Sequence, residues 1–180
     1  MNWNKQNPYL AKITSKKLLS GKQSNKEVFH YEISLGDSGI IYQPGDSLGI
    51  FPVNNNTLVR AIINRLQINP TYVPEGYDLN IYDLLEKKFE ILTPTNRLIK
   101  FVNDNINHDE LNHYLASKNR NILMDFKYGK DVLDFMNLDK NLKFDVLHFL
   151  TLLKPLQHRA YSIASSNLIF KNSVHLSVST

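Results

Sequence analysis

The chain has 180 residues, 42% apolar and 21% charged, with no cysteine and a formal net charge of +4. That composition excludes a disordered chain, a disulfide framework, a thiolate metal site and a cysteine nucleophile. Its basic residues are interspersed with acids, with no run longer than Lys16-Lys17 or Lys87-Lys88, so the charge suits an anionic cofactor or an acidic protein and argues against nucleic acid. No apolar run approaches the roughly 20 residues of a membrane span and the N-terminus lacks an apolar targeting core, so no membrane partner and a cytoplasmic location are expected.

Tyr9 to Leu19 alternates loosely, with Tyr9, Ala11 and Ile13 expected to face inward. Lys26 to Leu35 alternates cleanly, with Phe29, Tyr31, Ile33 and Leu35 on one face. Two antiparallel strands follow from that period of two. Gly36-Asp37-Ser38-Gly39 reads as a turn, and Gln43-Pro44-Gly45-Asp46 as a type II turn with Pro presetting φ and Gly taking the positive φ. Ser47 to Val53 is a short apolar strand that Pro52 closes.

From Asn54 the period changes. Asn54-Asn55-Asn56 offers N-caps, and Leu58, Val59, Ile62, Ile63 and Leu66 share one helical face with Arg60, Asn64 and Arg65 opposite. Further helices are expected over 81–88, 96–105, 109–117, 130–136 and 142–153, punctuated by Pro74, Pro94 and Pro155. In the last of these, Leu142, Val146, Phe149, Leu150 and Leu153 align as a core face. Strand character returns only at 159–164 and 174–179. The resulting organisation is α+β: residues 1–53 and 156–180 form a strand domain, and 54–155 an all-helical insertion.

Within the returning strand, His158 to Ser166 gathers a cation, an aromatic ring and three hydroxyls. Arg159 is suited to a pyrophosphate, Tyr161 to a flat heteroaromatic ring, and Ser162 to a ring edge, which are the groups a flavin dinucleotide needs. Read on residue types alone, the same run is more readily an ordinary strand with an exposed arginine. His108 and His113 lie about 140° apart on a helix, so no metal site is expected. No Ser-His-Asp arrangement has a supporting motif, and no catalytic residue is assigned.

In sequence order, Gly36-Asp37-Ser38-Gly39, Tyr42 to Gly49, a helical insertion and Arg159-Ala160-Tyr161-Ser162-Ile163-Ala164-Ser165-Ser166 together resemble the FAD-binding module of diflavin reductases. Phe89-Glu90, Leu111 to Tyr114 and Val174-His175-Leu176 extend the likeness along the chain, which is similar to the flavoprotein (alpha) subunit of NADPH-dependent sulfite reductase. The resemblance implies an antiparallel flavin-binding β-barrel of the ferredoxin-reductase type carrying a helical connecting region. Six strands close such a barrel and about five can be counted, so an incomplete barrel is expected. By position, Arg159 would hold the FAD pyrophosphate, Ala160 would contribute backbone, Tyr161 would lie along the ribityl chain and ring, and Ser162 would approach the reactive flavin nitrogen. Ser177, Val178 and Ser179 stand where the family has Thr-Val-Gly, and Thr93 matches a residue on the adenosine side. Ser179 in place of glycine crowds a close backbone approach.

The family also carries a second phosphate-binding loop, an NADPH domain and usually an FMN domain, none of which is recognised here. The sequence is therefore expected to be the N-terminal part of the module. Its implied function is to pass electrons from NADPH through FAD to FMN or a haem-bearing partner, in sulfite reduction for cysteine biosynthesis, and the chain alone is expected not to oxidise NADPH. The alternative is a vestigial or binding-only barrel domain without redox activity. An RNA-binding barrel lacks support, because the aromatics do not interleave with a basic stripe.

Overall fold

The computed structural model describes residues 3–4, 7–116 and 120–179, and the chain divides into two compact units, Met1–Ile50 with His158–Thr180, and Phe51–Gln157. The first holds strands β1 (Lys12–Leu18), β2 (Val28–Ser34), β3 (Ser47–Ile50), β6 (Arg159–Ser162) and β7 (Ser173–Ser179). The second holds helices α1 (Asn56–Leu66), α2 (Ile81–Lys87), α3 (Asn96–Ile106), α4 (Asp109–Ala116), α5 (Arg120–Lys127), α6 (Val132–Met136) and α7 (Val146–Leu152), with the two-residue strands β4 (Phe89–Glu90) and β5 (Lys154–Pro155).

In the strand unit, β2 is the centre of an antiparallel sheet ordered β1-β2-β7, and β3 pairs antiparallel with β6. A single bridge between Ile163 and Leu176 links the two ladders. Strand β1 has β2 as its one partner and β3 has β6, so helix and strand coexist and no barrel closes among the described residues. The register sets Tyr31 opposite Leu176 and Ile33 opposite Val174. Ile33, Leu35, Tyr42, Val174 and Leu176 form the core of this unit, with Leu48, Ile50, Tyr161, Ile163 and Val178 packed against it.

The Gln43 to Asp46 turn forms as expected. The Asp46 amide donates to the Gln43 carbonyl at 3.1 Å, and Gly45 has φ of +98°. Tyr42, just before it, is buried, and its hydroxyl donates to the Ser173 carbonyl (3.0 Å) and meets the Ser165 hydroxyl at 2.7 Å. The Ser165 oxygen in turn accepts from the His175 amide (3.0 Å). A buried tyrosine thus has its polar end satisfied and ties the turn to β7.

Strand β1 departs from its expected pattern. Ala11 and Ile13 are exposed, Ile13 by 58%, and the register shifts between Ile13 and Ser15. An edge strand covered on one side needs little apolar alternation, and an extra residue at the bulge turns the faces over.

The helical unit is built around one cluster containing Ile62, Ile63, Leu85, Leu98, Ile99, Phe135, Phe149 and Leu150, all nearly or fully buried. Its helix starts are capped: Asn55, Asn80, Thr95, Asp131 and Asp145 accept amide hydrogen bonds at the first turns of α1, α2, α3, α6 and α7. Such caps satisfy amides that have no partner within the helix.

Several expectations for this unit are corrected. Helix α5 was not expected from the sequence, and neither was the β4-β5 ladder, in which Phe89 lies opposite Pro155. Helix α7 begins at Val146 instead of Leu142, because Asp145 caps it. Ser117, the expected end of α4, lies outside the described residues. Arg65 does not point to water. It donates to the carbonyls of Met136, Asp139 and Leu142 at 2.7 to 3.2 Å and lies over the Phe144 ring, fixing the descent from α6 into α7. Asn54 is buried as well, donating to the Leu85 carbonyl in the last turn of α2 and to the Phe89 carbonyl just beyond it.

Candidate cofactor-binding site

Strand β6 places Arg159, Ala160, Tyr161 and Ser162 in consecutive alternation. The ladder with β3 runs Ser47 to Ser162, Leu48 to Tyr161, Gly49 to Ala160 and Ile50 to Arg159. Tyr161 points toward the small core and is half-buried, whereas Arg159, Ala160 and Ser162 are exposed. Alternation along a strand is what separates the tyrosine from the serine that follows it.

On its other side β6 meets β7 only through the Ile163 to Leu176 bridge, supported by the Ala164 amide donating to the His175 carbonyl at 2.8 Å. Continued pairing would set Ser162 against Ser177 and Tyr161 against Val178. Among the described residues it does not form, and the pairing of the two strands is confined to that bridge. Ser177 and Ser179 are exposed and Val178 is half-buried.

The polar groups along these two segments are unengaged. Among the described residues Arg159 has no acidic partner and the hydroxyls of Ser162, Ser177 and Ser179 have no hydrogen bond, although six backbone amides elsewhere in the unit donate to serine hydroxyl oxygens. By the alternation of the strand Arg159 shares a face of β6 with Tyr161 and Ser162 takes the opposite face; a guanidinium and exposed hydroxyls are donors of the kind an anionic dinucleotide uses.

Of the three hydroxyls grouped by the sequence, only Ser162 stays available. Ser165 belongs to the Tyr42 network, and Ser166 accepts backbone amides of Leu168, Ile169 and Phe170 through its side chain and carbonyl. Thr93 lies in the helical unit, on an exposed loop whose amides at Leu92 and Thr93 donate to the Glu90 carboxylate.

Two features escaped the sequence reading. A Cβ on Gly49 would come within 3.1 Å of the His158 ring, so glycine there lets His158 lie across β3 immediately before Arg159. The second is Tyr42, whose role is signalled only by its place before a Pro-Gly turn. Among the described residues no group of three or more His, Asp and Glu is arranged to hold a metal ion, and no helix is long and apolar enough to cross a membrane.

The family model described as "FAD binding domain" matches residues 1–96. The sulfite reductase [NADPH] flavoprotein alpha-component of Bacillus subtilis is 31% identical over 98% of the chain, and that of Vibrio parahaemolyticus 33% identical over 98%. The same component from Mannheimia succiniciproducens is 31% identical over 99%. The chain spans 30%, 28% and 30% of the length of these three relatives. A match over more than half of the sequence shows that the chain belongs to the FAD-binding domain family and that its cofactor is FAD.

Proposed function

We propose that the strand unit is the flavin clasp of an NADPH-dependent diflavin reductase of the sulfite reductase flavoprotein kind, with the ferredoxin-reductase barrel type as its fold. The observation that carries the reading is that Arg159 is exposed on β6 with no acidic partner among the described residues, next to Tyr161, which packs on the core of the unit. When bound, FAD supplies hydride acceptance from NADPH and single-electron delivery to FMN or a haem-bearing partner.

The chain's own residues hold and orient. Arg159 neutralises the pyrophosphate through a bidentate contact, worth roughly 1.5 to 3 kcal/mol for a charge-assisted bond. Ala160 offers backbone where a larger side chain would intrude. Tyr161, with its ring already held against the small core, presents a rigid face to the ribityl chain and ring. Ser162 supplies a hydroxyl toward the reactive nitrogen, worth about 1 kcal/mol. Ser177, Val178 and Ser179 border the ring from β7, and Thr93 contacts the adenosine side. The helical unit serves as the connecting region, with domain limits near 1–53 with 156–180 and 54–155.

The test is uptake of flavin. The purified chain, mixed with FAD and freed of excess, should keep a bound-flavin visible spectrum. A colourless protein after exposure to tens of micromolar FAD would remove the clasp from this polypeptide.

A further inference from the structure

The helical unit carries a cavity of about 360 Å³ lined by Leu92, Thr93, Pro94, Lys127, Gly129, Lys130 and Asp131. Its volume falls at the lower end of ligand pockets. Two lysines converge there for a local reason. Lys127 ends α5, and the Lys130 amide donates back to the Lys127 carbonyl at 3.0 Å, closing a four-residue turn. Gly129, at the third position of that turn, has φ of +72°, a conformation that favours glycine. The turn therefore brings the first and fourth residues, both lysines, to one side of the cavity.

The charge there is unbalanced. Lys127, Lys130 and Lys154 are all half-buried, and none has a carboxylate within ion-pair distance among the described residues. Lys127 reaches only the neutral Asn96 side chain, at 3.3 Å. Lys130 rests on the Phe126 ring, 3.4 Å from its centroid. Two acids border the region, and both have other tasks. Asp131 caps α6 by accepting from the Asp134 amide, and Glu90 accepts from the Leu92 and Thr93 amides. Burial, and then the charge of Lys154, hold the Lys127 ammonium below the ordinary lysine range, a cost that an anion at the same place would reverse. The Thr93 hydroxyl has no hydrogen bond and is available to donate.

We propose that this cavity binds a phosphate group of a nucleotide other than FAD, held by Lys127 and Lys130. Lysine ammonium groups act on phosphate as point charges and need no fork geometry, so two of them at the ends of a tight turn are sufficient.

The test is titration of inorganic pyrophosphate into the flavin-free chain, followed by amide chemical shifts, in wild type, Lys127→Gln, Lys127→Arg and Arg159→Ala. The expected result is saturable movement of the Thr93 and Gly129 amides, weakened about tenfold by Lys127→Gln, a loss of about 1.4 kcal/mol. Lys127→Arg should restore binding and Arg159→Ala should leave it unchanged. Repeating the titration after FAD is added should leave binding undiminished, and competition by FAD would overturn the assignment to a separate nucleotide. Amides that do not move, or that move equally in Lys127→Gln, overturn the site. Because Arg159→Ala tests the clasp alone, failure of flavin uptake and failure of this cavity give separate results.

Discussion

Among the described residues, the helical unit buries twenty apolar residues in one cluster, while the strand unit buries five. The helical unit also closes its own polar accounts, with caps at five helix starts and Arg65 holding three carbonyls. The strand unit leaves Arg159 and the hydroxyls of Ser162, Ser177 and Ser179 exposed and without a protein partner among the described residues. The difference fits the proposed division into framework and clasp. One region derives its stability from apolar burial, and the other holds a small core beside uncommitted polar groups.

The largest expected effect lies in the framework. Phe149 is fully buried, so Phe149→Ala should cost about 3 to 5 kcal/mol in denaturant unfolding, and a loss under 1 kcal/mol would break the contrast between the units. Next is the response of the clasp to its cofactor. FAD at 100 times its Kd should stabilise the chain by about 2.7 kcal/mol, with hydrogen-exchange protection concentrated in β6 and β7 and little change in α1 and α7. Protection spread equally over both units would contradict the division of labour. Smaller again is Tyr42→Phe, which leaves the Ser173 carbonyl without its tyrosine donor and should destabilise by about 1 kcal/mol on thermal unfolding.

The smallest effect is at the surface of α2. The Lys87 ammonium, and then the Asn80 amide, hydrogen-bond Asp83 and hold its carboxyl below its ordinary value of 3.8. A carboxyl depressed in the folded state contributes stability that is present above pH 3.8 and is lost as pH falls through the folded value. The thermal midpoint of Asp83→Asn should therefore lie slightly below that of wild type at pH 7, with the gap closing in acid. A gap that widens in acid would reverse the sign.

The sequence revealed the strands and turns of the clasp because local chemistry determines them: a period-two pattern over β2, a Pro-Gly turn, and a compact Arg-x-Tyr-Ser run. It also revealed α1, whose apolar face and asparagine cap are contiguous. It did not reveal Arg65, since a charged residue that binds carbonyls more than seventy positions away has the same helical phase as one in water. Helix α5 escaped because its residues follow α4 without a breaker, and the turn at Gly129 acquires meaning only when Lys127 and Lys130 meet the Leu92 to Pro94 loop. The bulge in β1 defeated the expected alternation because register is set by β2, the only partner of β1. Long-range pairing is the element common to these omissions.

The clasp itself is tested most directly by comparing FAD affinity in wild type and Arg159→Ala. Trp3 is the sole tryptophan, and its indole donates to the Ser38 carbonyl at 2.8 Å within the strand unit, so its emission serves as the reporter. FAD should quench Trp3 saturably in wild type, with affinity falling tenfold or more in Arg159→Ala while unfolding of the flavin-free chain stays within about 0.5 kcal/mol. Equal FAD affinity in the two proteins would contradict the assignment of Arg159 to the pyrophosphate.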